Sequence, residues 1–199
     1  MIPVTLQPEP ADFDEKVRQK GLKWLAENNI DPEEKLPEGT TLKPFWQNSN
    51  PQLWEAYQGI CAYLAIFFEW STGVSSTDHY LAKSKHPRDA YEWKNYRLSC
   101  LGPNRNKNRF DDVLDPVGLA QHTFRIDFSC GKIVPSPDLS PQEARDAKNT
   151  IRRLKLDSPR NNEMRARHFQ EYIENQVELS YLERHSPFVY SEIRRQGLE

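Results

Sequence analysis

Residues 74–109 read VSSTDHYLAKSKHPRDAYEWKNYRLSCLGPNRNKNR, and this stretch decides the fold. A short segment with β-branched residues ends at Asp78-His79, and in Tyr91–Leu98 aromatic and apolar residues alternate with polar ones. Both patterns are typical of strands. Gly102-Pro103 ends the second segment, and Asn104 is expected to begin a short helix. The stretch therefore predicts two strands followed by one helix.

Five polar residues in this stretch suit phosphodiester hydrolysis, which needs a base to activate water and a cation that faces the phosphate. His79 can accept a proton near neutral pH, because imidazole titrates at about 6.5. Asp78, on the other side of an extended strand, and Asn104, through its amide oxygen, are candidate ligands for a hard divalent cation. Asn95 is a candidate for holding the imidazole or the loop in place. Lys107 shares a helical face with Asn104 and is a candidate phosphate contact.

Taken singly, these residues have structural explanations: Asn104 as a helix cap and Lys107 as a solvated charge. Their joint order resembles the HNH, or ββα-metal, endonucleases, whose motif joins two short strands and a helix around one cation. The run from Ser71 to Arg97, with Lys-Ser-Lys after Asp-His and then Tyr-Glu-Trp-Lys-Asn-Tyr-Arg, looks like a bacterial branch of that family. The later segments DDVLDP and IRRLKLD also resemble that branch.

The resemblance implies an endonuclease that hydrolyses DNA with Mg²⁺ or Mn²⁺ as its cofactor. It implies that His79 is the general base, that Asp78 and Asn104 bind the metal, and that Asn95 positions the loop. Lys107, on the same helical face as Asn104, is predicted as a further catalytic residue. Proteins of this appearance resemble the nuclease subunits of antiphage systems such as Septu or retron cassettes, in which an ATPase partner controls cutting. The expected fold class is α+β and mainly α-helical, with a ββα-metal core, surrounding helices and a small β-hairpin.

Many relatives in that family pair two Cys-x-x-Cys turns around a structural zinc. Here the corresponding places read Cys61-Ala-Tyr-Leu64 and Cys100-Leu-Gly-Pro103. Because one sulfur of each pair is missing and tetrahedral zinc takes four ligands, the sequence argues against structural zinc. Cys61 and Cys100 are expected to be small buried residues. Three cysteines without a close pairing also predict no structural disulfide and a cytoplasmic protein.

Charge is distributed unevenly along the chain, although the net charge is only -2. Residues 1–60 hold ten acidic and six basic side chains, whereas residues 79–110 hold eight basic and two acidic ones. A local positive excess indicates a surface that faces a polyanion, while a solvated basic face explains the charge alone equally well. The predicted nucleic-acid-binding residues are Lys83, Lys85, Arg97, Arg105, Lys107 and Arg109.

Other functions are weighed against the nuclease. A catalytically inactive nucleic-acid-binding or adaptor subunit of a defence complex is the alternative, and homo-oligomerisation is left open. A cysteine hydrolase is disfavoured, because Cys61 lies in the most apolar segment, where a thiol is inert. The longest apolar run, Ile60–Phe68, is far shorter than the ~20 residues of a membrane-spanning helix, so no membrane partner is predicted.

Three regions, packed as one compact domain, are expected: a helical and extended segment at 1–52, the nuclease core at 53–135 and a helical region at 136–199. The other predicted elements are a helix from Asp12 to about Asn28, a buried central helix at Leu53–Trp70, a hairpin from Phe124 to Val134, a helix capped at Ser140 and a long helix at Asn162–Arg184.

Overall fold

Helices make up most of the regular structure, and two small antiparallel strand pairs complete an α+β fold, as the sequence predicts. The computed structural model describes residues 1–199. Its helices are α1 (Gln19–Glu27), α2 (Asn50–Ala56), α3 (Leu101–Lys107), α4 (Pro141–Leu154), α5 (Pro159–Ile173), α6 (Leu179–His185) and α7 (Pro187–Gln196). Its strands are β1 (Ser75–His79), β2 (Tyr96–Cys100), β3 (Phe124–Asp127) and β4 (Lys132–Pro135).

β1 and β2 pair antiparallel, with Asp78 opposite Arg97 and His79 opposite Tyr96, and β2 runs directly into α3. The predicted order of strand, strand and helix is therefore confirmed, but its boundaries shift. Instead of strand, Tyr91 ends a 3-10 turn that begins at Arg88, and Trp93–Asn95 form a second 3-10 turn. α3 begins three residues before Asn104, because Pro103 fits the first helical turn, where backbone N–H groups have no partner within the helix.

The predicted helix at Leu53–Trp70 is wrong beyond α2. The chain leaves α2 through Gln58 and Gly59, which both have positive φ, and folds back so that Ile60 pairs with Phe67 in an isolated antiparallel bridge. The segment is apolar on every side because it is buried on most sides, and such a run does not distinguish a helix from other buried backbone.

The C-terminal third is helical, and its first helix starts as predicted. Ser140 caps α4 through a capping box with Glu143. The hairpin of β3 and β4 is also confirmed. The long helix predicted at Asn162–Arg184 is instead divided into α5 and α6, and Asn175, with φ of 55°, lies in the break between them.

One continuous apolar core joins all three regions that the sequence predicts. It includes Val17 before α1, Leu53 of α2, Leu98 of β2, Ile133 of β4 and Ile193 of α7. Phe13 packs edge-on against Tyr96, with ring centroids 5.6 Å apart, and so links the N-terminal segment to β2. None of the helices combines the length and apolar character that a membrane crossing needs.

Gly59 provides a test of the turn after α2. Its φ is 68°, and a Cβ there would lie 2.8 Å from both the Trp54 and the Phe67 side chains. We expect Gly59→Ala to lower the free energy of unfolding by about 3 kcal/mol, since the left-handed backbone and the overpacking both oppose it. Gly73 has nearly the same φ of 67°, but a Cβ added there would have no neighbouring atom within 4 Å. Gly73→Ala is therefore the control, with an expected loss of about 1 kcal/mol in urea unfolding. Equal losses would contradict this packing.

Candidate functional site

β1, the loop after it and α3 enclose a polar cleft of about 280 Å³. Its walls contain three of the predicted site residues together with two basic side chains. The lining residues are Thr77, Asp78, His79, Ala82, Lys83, Ser84, Asn104, Asn108 and Arg109. The structure thus brings Asp78, His79 and Asn104 together, while Asn95 and Lys107 lie outside the cleft wall.

The imidazole of His79 is held in one orientation. Its Nε2 lies 3.0 Å from the backbone oxygen of Ala90, and Trp46 and Tyr96 pack edge-on against the ring at 4.7 and 5.2 Å. Because a carbonyl oxygen only accepts, Nε2 carries the proton and Nδ1 keeps a free lone pair. Burial, aided by the nearby positive charge of Lys83, lowers the pKa of His79 to about 3. The ring is therefore neutral at pH 7, and the expectation that it titrates near neutral pH is wrong for the free cleft, because burial disfavours the charged ring.

Asn95 holds the loop that supplies the Ala90 oxygen. Its Nδ2 donates to the backbone oxygens of Leu81 and Asp89 at 3.1 and 2.9 Å, and its Oδ1 accepts from the Leu81 N–H at 2.7 Å. Both donors and the acceptor of this buried amide are thus used within the loop, whose two ends it joins. The structure places Asn95 where it positions the loop, just before β2 instead of on it.

The carboxylate of Asp78 is only 2% exposed. Its Oδ2 accepts a hydrogen bond from the Tyr63 hydroxyl at 2.5 Å, and its Oδ1 lies 3.4 Å from the Lys107 ammonium. Desolvation raises the pKa of Asp78, although Lys107 and Tyr63 act in the opposite direction. A carboxylate offers about four lone-pair positions, so two contacts leave it able to bind a further cation.

Lys107 has a different place from the one predicted. Its side chain is fully buried, and its Nζ donates to the backbone oxygen of His79 at 2.6 Å as well as facing Asp78. This contradicts the expectation that Lys107 meets a phosphate or binds nucleic acid directly. The residue supports the strand that carries the site, because its ammonium neutralises a carboxylate taken out of water.

Arg97 is also buried, against the prediction of a nucleic-acid contact. Its guanidinium binds both carboxylate oxygens of Asp115, at 2.7 and 2.5 Å. Lys85 is exposed but pairs with Asp111 at 2.7 Å. Of the predicted nucleic-acid-binding residues, the exposed ones without a carboxylate partner within 4.0 Å are Lys83, Arg105 and Arg109.

Asn104 lines the cleft, and its amide oxygen has no hydrogen-bond partner within the chain. Its Nδ2 donates to the Ser76 hydroxyl and to the backbone oxygen of Thr77, the latter at 3.3 Å. Because β1 takes up the amide donors, the Oδ1 atom is left free as a ligand. Asn104 lies in the middle of α3 and not at its start, so the explanation as a helix cap does not apply.

The side chains at the cleft fit a hard divalent cation. The Asp78 carboxylate and the Asn104 amide oxygen are the kinds of ligand that Mg²⁺ takes, and Mg²⁺ commonly keeps several waters beside one or two protein oxygens. A cation would also favour the ionised form of Asp78, which burial disfavours. No group of three or more His, Cys, Asp and Glu side chains is arranged around a metal position.

Cys61 and Cys100 lie close together, and neither lines the cleft. The Cys61 sulfur accepts hydrogen bonds from the Leu64 and Cys100 backbone N–H groups at 3.5 and 3.4 Å. Cys61 is fully buried as predicted, and Cys100 is half-buried. Burial opposes ionisation of the Cys61 thiol, but hydrogen bonds from Cys100 and the backbone outweigh it and lower the pKa. The premise that burial alone keeps this thiol inert is therefore incomplete, although Cys61 does not line the cleft.

Sequence reasoning missed three groups at the site. Tyr63 lies in the segment that was expected to be helical, and Trp46 lies in a 3-10 turn outside the motif. The Ala90 oxygen belongs to the backbone, so no residue type marks it. Only the long-range fold brings these groups to Asp78 and His79.

A scan against protein-family models and a search of curated proteins find no match to this chain.

The pKa of His79 leads to a prediction about stability and pH. Its folded value of about 3 lies below the ordinary 6.5, so the folded protein binds fewer protons than the unfolded chain between these pH values. Stability is then lost as pH falls below about 6.5, by up to about 1.4 kcal/mol per pH unit from this group. We expect urea unfolding of His79→Gln at pH 7 to 5 to lack this loss. His86→Gln, at an exposed site on the loop that follows β1, is the control. Identical pH dependence in wild type and His79→Gln would refute the assignment.

Lys107 can be tested as a structural cation. We expect Lys107→Met to lower the free energy of unfolding by about 3–5 kcal/mol, because it leaves the buried Asp78 carboxylate without its cation. Lys83→Met removes an exposed charge from the cleft and is expected to change stability by less than about 0.5 kcal/mol. Thermal or urea unfolding of both variants makes the measurement. A stable Lys107→Met protein would show that Lys107 does not support Asp78.

Proposed function

We propose that this chain is a divalent-metal-dependent endonuclease of the HNH, or ββα-metal, type that hydrolyses DNA phosphodiester bonds. The observation that carries the proposal is the cleft itself. A neutral imidazole with a free Nδ1, a buried carboxylate and a free amide oxygen line one cleft. They are presented by β1 and α3, and β2 joins these two elements because it pairs with β1 and runs directly into α3.

His79 acts as the general base in this mechanism. Its free Nδ1 accepts a proton from the attacking water, and the resulting imidazolium keeps its Nε2–H bonded to the Ala90 oxygen. Burial disfavours this imidazolium, whereas the negative charge of a phosphate bound in the cleft would favour it and raise the pKa of His79. Trp46 and Tyr96 prevent the ring from turning away. Asn95 acts indirectly. It fixes the loop that carries the Ala90 oxygen, and that oxygen orients the His79 ring.

Asp78 and Asn104 would hold the cation. When bound, Mg²⁺ or Mn²⁺ supplies Lewis-acid stabilisation of charge on the phosphate and the leaving oxygen. Tyr63 and Lys107 fix the Asp78 carboxylate, and Ser76 fixes the Asn104 amide. The chain thus orients both ligand oxygens before any cation arrives, which reduces the reorganisation that binding requires.

Lys83 and Arg109 are on the cleft wall, where they would meet the phosphate backbone. Such contacts give affinity without reading sequence. Control of cutting by an ATPase partner, and a role in antiphage defence, belong to the same proposal, and they are supported by the sequence resemblance alone.

A non-catalytic nucleic-acid-binding or adaptor subunit is the second candidate. It is favoured by the burial of Asp78 and by its ion pair with Lys107, since a structural network has the same features. The two candidates differ in whether a divalent cation binds at Asp78 and whether His79 is needed for cutting.

Plasmid cleavage with Mg²⁺ or Mn²⁺ tests the nuclease. We expect His79→Ala to lower the cleavage rate by at least about 100-fold, because it removes the general base. His86→Ala, at an exposed site on the loop that follows β1, is the matched control and is expected to cut like wild type. Equal cleavage by wild type and His79→Ala would overturn the mechanism.

Calorimetric titration with Mn²⁺ separates the candidates: binding by wild type that Asp78→Asn abolishes supports the nuclease, and no binding by either supports the adaptor.

A further inference from the structure

A second groove, of about 460 Å³, lies between β4 and α4 and shares no residue with the cleft. Four basic side chains surround an aliphatic floor, with a single carboxylate among them. The lining residues are Lys132, Ile133, Val134, Pro135, Lys148, Ile151, Arg152, Lys155, Asp157 and Ser158.

The positive charge of this groove is largely uncompensated. Lys148, Arg152 and Lys155 are exposed and have no carboxylate within 4.0 Å, and Lys132 faces Asp157 at 3.8 Å. Cations without internal partners remain available to an external anion. The groove therefore attracts a polyanion more strongly than a surface of paired charges does.

A depression between the cleft and the groove contains both basic and acidic side chains. Arg109 lines the cleft and also this depression, whose other members include Phe110, Arg153 and Asp112. Arg153 pairs with Asp112 at 3.0 Å, so Arg109 is the cation of the depression without a carboxylate partner. The Arg153 guanidinium lies 3.7 Å from the centre of the Phe110 ring. Arg153 is next to Arg152 of the groove on α4.

α3 and α4 are in direct contact along this route, since Asn106 Nδ2 donates to the backbone oxygen of Leu154 at 3.1 Å. A strand that leaves the cleft past Arg109 can thus follow the junction of α3 and α4 into the groove. The charge and the continuity together favour one long ligand over two separate small ones.

We propose that the groove between β4 and α4 is a second phosphate-binding subsite, which holds the backbone of the nucleic acid at a distance from the scissile phosphate. This inference rests on the proposed nuclease function. Lys148, Arg152 and Lys155 contact phosphate oxygens, and the aliphatic floor of Ile133 and Ile151 packs against sugars. Neither kind of contact distinguishes bases, so the subsite adds affinity and length preference without sequence preference.

Binding of labelled DNA to the full chain, without divalent metal, tests the subsite. The variant is Lys148→Gln with Lys155→Asn, where Asn suits the left-handed backbone at Lys155, whose φ is 52°. For a duplex of about 20 base pairs, we expect at least about fivefold weaker binding. We also expect a salt slope that is smaller by about 1.8, which corresponds to two lost phosphate contacts. A ligand that occupies the cleft alone, tested as a hairpin stem of about 6 base pairs, is expected to bind both proteins alike.

Two controls accompany this measurement. Lys20→Gln with Lys23→Gln removes two exposed charges from α1, which lines neither site, and is expected to bind like wild type. Lys148→Arg with Lys155→Arg keeps the charge and is expected to restore the salt slope. Circular dichroism of each variant checks that α4 is intact.

Each outcome separates the subsite from the nuclease. If wild type binds and cleaves DNA while the groove variant keeps the wild-type affinity and salt slope, the subsite is refuted and the nuclease stands. If wild type neither binds nor cleaves DNA, the proposed function fails and the subsite fails with it. If the groove variant loses binding to polyglutamate but not to DNA, the ligand is an acidic protein, and the assignment to nucleic acid is overturned.

Discussion

The cleft depends on one interaction, the contact of the buried Lys107 ammonium with the end of β1. It joins the last residue of α3 to the end of β1, through the His79 backbone oxygen at 2.6 Å and the Asp78 carboxylate at 3.4 Å. Both charged side chains are almost wholly removed from water, so neither is tolerated without the other. The helix that carries Asn104 is thereby held against the strand that carries Asp78 and His79. The geometry between these elements is set by an ion pair that lies behind the cleft wall.

The same arrangement continues around the site, where each candidate functional group is held by a neighbour that does not line the cleft. Tyr63 holds Asp78, Ser76 holds Asn104, and the Ala90 oxygen holds His79. These neighbours use one side of each group's hydrogen-bonding capacity and leave the opposite side free. Such preorganisation stabilises a bound cation or a transferring proton, because little reorganisation remains when either arrives.

The sequence predicted the local part of this arrangement and missed the long-range part. Strand, helix and hairpin signals lie within short stretches, so β1, β2, α3 and the grouping of Asp78, His79 and Asn104 could be predicted. Tyr63 could not, because the apolar run around it is consistent with a buried helix as well as with the observed turn. Residue type alone also failed to show that Lys107 is buried, since a lysine on a short helix is usually solvated. Whether a basic side chain is buried or free depends on which carboxylate it meets in the fold, and the sequence does not show these pairings.

The difference between paired and unpaired basic side chains changes where a polyanion would approach. The basic stretch at 79–110 dominates the sequence, but Arg97 and Lys107 are buried in ion pairs and Lys85 is paired with Asp111. Charge on α4 is less conspicuous in the sequence, because acidic residues precede it in the same helix. In the fold, its C-terminal half presents unpaired cations at the groove, where they add to the field of Lys83 and Arg109 at the cleft. The unpaired positive charge therefore lies in two places, the cleft and the groove, on either side of the α3–α4 junction, where Arg153 pairs with Asp112. Two separate positive sites suit a polymer better than a single phosphate.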